Sequence, residues 1–129
     1  MAIKWFLPGG GRSWTYAHDV LARIGAGELA PVVPDLWHYE MGSVLVAAKR
    51  DQRLSAAKLR ASQQAIRDLQ PETLAIELDA SILVDLSQRY HLQGYDTVYF
   101  ELARRLSLPI ASLDGGIKTA CATFGVAFL

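Results

Sequence analysis

Apolar residues recur at intervals of three and four in several separate blocks of this chain, and a capping or breaking residue frames each block. After the glycines at 9 to 11, Ser13 is placed to cap a helix. Trp14, Ala17, Leu21 and Ile24 follow at helical spacing up to Gly25 and Gly27. Residues 31–34, Pro-Val-Val-Pro, read as a short buried strand. Asp35 then caps a second helix running to about Arg50, with Trp37, Met41, Val44, Leu45 and Ala48 as its apolar stripe. Ser55 opens a third helix with Leu59, Ser62, Ile66 and Leu69 on one side, and Pro71 lies just past its end. Residues 73–78 alternate, sending Leu74, Ile76 and Leu78 one way, as a half-buried strand does. Asp79 caps a helix carrying Ile82, Leu83, Leu86 and Tyr90, with Asp85 and Arg89 paired four apart on its wet side. Gly94 breaks the chain. A helix from Tyr95 to Leu106, a strand at 109–113, a helix from Asp114 and a last strand at 126–129 complete the pattern.

Strands thus alternate with one or two helices throughout, and Asn-Gly hairpin signals are absent. The expected class is α/β, three layers deep, with a mainly parallel sheet and helices on both faces. In such sheets ligands bind beyond the carboxyl ends of the strands, where the next helices begin.

Three acids fall at that end. Glu40 sits inside the stripe of its helix, three after Trp37 and four before Val44; a carboxylate facing a core needs a partner. A salt bridge, or rotation of Glu40 to the edge of the stripe, would satisfy it as well as a ligand would. Asp96 lies in the first turn of its helix and Asp114 ends the segment Pro-Ile-Ala-Ser-Leu; each is also a natural helix-start residue. Taken together, the three form a carboxylate cluster with no histidine or cysteine placed among them. Such a cluster repels itself until a hard cation neutralises it, and oxygen-only ligands favour Mg2+ or Mn2+. Glu101, by contrast, has Arg104 and Arg105 within reach and reads as a solvated surface acid.

Composition narrows the setting. The 129 residues, 51% hydrophobic and 20% charged, suffice for one compact domain with a real core. Thirteen basic and thirteen acidic side chains give a formal net charge of zero, so global charge offers a nucleic-acid partner no support. A local basic rim can still hold phosphates. The single Cys121 cannot form an internal disulfide, which fits a reducing cytoplasm, and no apolar run is long enough to span a membrane.

Longer segments carry a resemblance. "VPDLWHYEMGSVL", with Glu40, resembles the strand-turn-helix of PIN domains, the fold of small metal-dependent ribonucleases such as the VapC-type toxins. "GYDTVYFELARRLSLPIASLD", with Asp96 and Asp114, resembles that family's Tyr-Asp helix and its following strand ending in Leu-Asp. "GIKTACATFGVAFL" resembles the closing helix and strand. "AIKWFLPGG" resembles the end of the family's opening motif, so Met1 falls where the first helix is already under way. The resemblance therefore implies that the central first strand and its catalytic aspartate are missing from this chain, by a misplaced gene start or by truncation. It further implies a sheet that is rearranged, flattened or completed by another copy.

The resemblance implies hydrolysis of an RNA phosphodiester with Mg2+ or Mn2+ held by Asp96 and Asp114. Glu40 would bind metal through water or orient the attacking water. Ser43, Thr97 and Lys118 are candidates for positioning ligand or substrate, and Arg12, Arg50 and Arg53 for touching the RNA backbone. The implied partners are an RNA substrate, a cognate antitoxin protein and further copies of the chain. A catalytically silent binding module of the same fold is the competing reading. His18, His38 and His91 are too scattered to bind metal, and Trp5, Trp14 and Trp37 are expected in the core.

Overall fold

The computed structural model describes residues 10–129; the readings placed on residues 1–9, Trp5 among them, lie outside it. The chain is α/β, mostly helical, and divides into two compact units, one ending at Thr73 and the other running Leu74–Leu129.

In the first unit, α1 spans Arg12–Gly25. Its N-cap is Gly11 rather than the expected Ser13, which lies inside the first turn. Gly11 adopts φ 85°, a region open to glycine, and its carbonyl accepts from Trp14 N at 3.0 Å and Thr15 N at 3.1 Å. The helix therefore starts earlier than side-chain capping predicts. A short strand, β1 (Val32–Pro34), leads into α2 (Leu36–Arg50), whose cap is Asp35, accepting from Leu36 N at 2.8 Å. Trp37, Met41, Leu45 and Ala48 are buried and Val44 is half-buried, so the expected stripe is the packed face. Ser55 caps α3 (Ala56–Leu69) through Lys58 N at 3.2 Å. Leu45, Ala48 and Leu54 form the core beside Leu59 and Ile66; full burial of each leucine contributes roughly 1.5–3 kcal/mol.

The strands are shorter than their alternation suggests. β2 (Glu72–Leu74) pairs with β1 in a two-stranded parallel sheet. Leu74, Ile76 and Leu78 are half-buried and their neighbours exposed, as the pattern requires, yet the strand ends at Leu74. Alternation records which side is covered, whereas a strand also needs a neighbour to take its N–H and C=O groups.

The second unit holds α4 (Ala80–Tyr90), α5 (Gly94–Leu106) and α6 (Gly115–Phe124). Asp79 caps α4 through Ile82 N at 2.8 Å. Ile82, expected on the apolar side, is exposed, and the covered face is Leu83, Leu86, Ser87 and Tyr90. Tyr90, Leu92, Phe100, Ile110, Ile117 and Cys121 anchor the core, and Phe100 is fully buried. The rings of Tyr90 and Phe100 lie 4.8 Å apart at a tilt, a favourable aromatic geometry. The strands expected at 109–113 and 126–129 are reduced to one parallel bridge, Ile110 with Phe128. It is held by Ile110 N to Ala127 O at 2.9 Å and Leu129 N to Ile110 O at 3.0 Å. Among the described residues no helix is long and apolar enough to cross a membrane.

Candidate carboxylate site

Asp114 sits where the chain leaves the Ile110 bridge and turns into α6. Its Oδ1 accepts from Ile117 N at 2.9 Å, while its own N–H donates to Ser112 Oγ at 3.0 Å. Gly116 keeps this turn open: a Cβ there would stand 3.0 Å from Asp114 Oδ1 and 3.5 Å from Leu92 Cδ2. The start of α6 therefore packs beside Leu92, two residues ahead of α5. Asp114 is exposed, and its cap bond engages one oxygen.

Asp96 is the acidic residue in the first turn of α5, and its N–H donates to Gln93 O at 2.9 Å. Gln93 supplies no side-chain cap, so the positive end of α5 acts on the half-buried Asp96. Two carboxylates thus stand at two helix starts that share Leu92 as a neighbour. Oxygen donors of this kind suit Mg2+ or Mn2+.

Glu40 belongs to α2, in the other unit. It is half-buried on the flank of the Trp37–Met41–Leu45 stripe, as an advance of about 100° per residue requires. Among the described residues, no group of three or more His, Cys, Asp or Glu side chains is placed to hold a metal ion.

The other candidates fall as follows. Ser43 is exposed on α2. Thr97 is fully buried, and its hydroxyl meets Ser87 Oγ at 2.8 Å, tying α5 to α4. Lys118 is exposed, its Nζ 5.8 Å from the centre of the Phe128 ring. Arg12 borders a shallow open depression with Gly11, Thr15, Tyr16 and Asp19. Arg50 and Arg53 both turn to Asp51, at 3.2 and 3.7 Å. His18 stacks on Trp14 at 3.9 Å and His38 Nε2 meets Thr73 Oγ1 at 2.9 Å, so both histidines have structural partners. Trp37 is buried, and Trp14 is half-buried.

Glu101 overturns its expected place on the surface. It is 2% exposed and accepts from Arg104 through both oxygens, at 2.8 and 2.9 Å. Arg105 Nε donates to Oε1 at 2.8 Å and the Tyr90 hydroxyl to Oε2 at 2.9 Å. The Arg104 bonds, with those of Arg105 and Tyr90, hold its carboxyl down at about 2 against the opposing effect of burial. Tyr90 is pushed up by burial and by its bond to Glu101. The signal was available in the helix period. Glu101 lies three and four residues after Val98 and Thr97, both buried, so it shares their covered face.

Compared with protein families, with curated proteins and with solved structures, the chain matches none.

Proposed function

We propose that this chain is a metal-dependent ribonuclease of the PIN type, the toxin of a toxin-antitoxin pair. The observation that carries the reading is the pair of carboxylates at helix starts, Asp96 two residues after Gly94 opens α5 and Asp114 just past the parallel bridge, where α6 begins beside Leu92. The resemblance of the surrounding segments to PIN-domain motifs supplies the reaction class. The finer architecture that goes with it is the three-layer α/β/α PIN-like fold, and the parallel sense of both observed pairings agrees with that. The same reading carries RNA as substrate, a cognate antitoxin protein and further copies of the chain as partners, and a cytoplasmic setting.

In this mechanism Mg2+ or Mn2+ supplies an activated water and charge neutralisation at the scissile phosphate. Asp96 and Asp114 provide the negative charge that holds the ion. The cap bond to Ile117 N fixes the Asp114 carboxylate in orientation, so that it would meet a bound ion already positioned. The resemblance assigns Glu40, which belongs to the other unit, to binding metal through water or orienting the attacking water. Ser43, Thr97 and Lys118 are assigned to positioning, Thr97 by fixing the first turns of α5 against Ser87.

A second reading is a catalytically silent binding module. It is favoured by the absence, among the described residues, of three acids grouped for a metal. Cleavage of single-stranded RNA in Mn2+ separates the two. The nuclease reading predicts hydrolysis that stops with chelator and falls about a hundredfold or more in Asp96→Asn. Equal cleavage by wild type and Asp96→Asn would remove Asp96 from the site, and no cleavage by the wild type would leave the silent module.

A further inference from the structure

The last turns of α4 and α5 carry a concentration of positive charge that the site does not use. Arg104 and Arg105 are each a little under half exposed, at 45% and 43% of the side chain, yet both are locked onto buried Glu101. Arg89 joins them from α4, its guanidinium carbon 5.8 Å from the centre of the Tyr90 ring, and Tyr90 in turn donates to Glu101. Asp85, one turn ahead of Arg89, was expected to pair with it but forms no ion pair among the described residues. Two guanidiniums therefore bond a single ionised carboxylate that is itself out of the solvent, and a third stands beside the tyrosine that also bonds it. On a chain of zero net charge, this face holds a local positive surplus.

The geometry of the forks matters as much as the charge. Arg105 spends only Nε on Glu101, and Arg104 spends Nε and one terminal nitrogen. Each guanidinium has five N–H donors in a rigid plane, which leaves several for an oxyanion. Because Glu101 already fixes both side chains, binding an anion costs little further rotamer entropy.

We propose that the Arg89–Arg104–Arg105 face binds the phosphate backbone of an RNA strand, the same strand that the carboxylates act upon. This rests on the ribonuclease reading. A cluster of carboxylates repels a polyanion, so a substrate strand needs compensating attraction nearby, and overall charge supplies none. Arg104 lies eight residues along α5 from Asp96, about 12 Å at the helical rise, a span that an extended strand of a few nucleotides covers. Exposed Tyr95 at the same end as Asp96 offers a ring face on which an unpaired base can stack.

The test is fluorescence anisotropy of a fluorescein-labelled single-stranded RNA of mixed sequence, titrated with the full chain in chelator across a range of KCl. Arg89→Gln and Arg105→Gln should each weaken binding about 3- to 10-fold, and each should flatten the dependence of log K on log salt by about 0.7. Arg105→Lys, which keeps the charge, should retain the wild-type slope, and Asp96→Asn should bind no more weakly than wild type. If the chain cleaves RNA while the double Arg89→Gln/Arg105→Gln variant, folded by circular dichroism, binds with unchanged affinity and slope, this inference fails and the ribonuclease reading stands. If the chain binds no RNA, or binds an acidic peptide such as polyglutamate through these arginines instead, the inference fails. If the wild type binds through the arginines yet cleaves nothing, the surface stands and the ribonuclease reading fails.

Discussion

A carboxylate at 2% exposure is stable only if its charge is met, and Glu101 is met three times, by Arg104, Arg105 and the Tyr90 hydroxyl. A carboxyl held at about 2 rather than 4.5 corresponds to about 3 kcal/mol of pH-dependent stability. Because the folded value is the lower one, that stability is complete above about pH 4.5 and is lost as pH falls toward 2. Glu101→Gln should therefore lower the urea midpoint at pH 7 by an amount equivalent to roughly 3 kcal/mol, and about half of that gap should close by about pH 3. A constant gap from pH 7 to pH 3 would mean that the charge of Glu101 is not what the network stabilises. Its two arginines were legible from their spacing of three and four. Tyr90 was not, because that contact joins two helices and no local period encodes it.

Helices in this chain are written in local chemistry, and that is why their positions were readable. Asp35, Ser55, Asp79 and Asp114 each accept a backbone N–H at the start of a helix within one residue of where the sequence puts it. In α1 the backbone freedom of Gly11 rather than the Ser13 hydroxyl sets the start, and α5 begins at Gly94 without a side-chain cap. Strands were less legible, since β2 stops at Leu74 and the chain around Ile110 makes a single bridge. Their length depends on distant partners, which the alternation of residues 73–78 does not specify. Asp114 belongs to both a local and a distant account, and substitution separates them. Asn caps a helix about as well as Asp, so Asp114→Asn should leave stability within about 0.5 kcal/mol, whereas Asp114→Ala should cost about 1 kcal/mol. Metal-dependent RNA cleavage should fall in both. Chemical denaturation beside a cleavage assay checks this, and full activity in a stable Asp114→Asn variant would leave Asp114 a cap alone.

Across the whole chain, charge is balanced in number but not in place. Acids gather at helix starts, as Asp96 and Asp114 do, while arginines gather at the ends of α4 and α5. Helix dipoles favour that separation, and it gives α5 an acidic start and a basic end. The positions of Asp96 and Asp114 at helix starts were legible, Asp114 from its own capping role and Asp96 from the break at Gly94. Glu40 lies in the other unit, and neither helix period nor capping encodes how residues of separate units relate. The claim on which the rest depends is that Asp96 and Asp114 hold a divalent cation. Titration of the chain with Mn2+, followed by electron paramagnetic resonance of the free ion, tests it without requiring any RNA. The account predicts saturable binding that weakens about tenfold or more in both Asp96→Asn and Asp114→Asn while Asp85→Asn binds as wild type does. Equal Mn2+ uptake by all four proteins would contradict it.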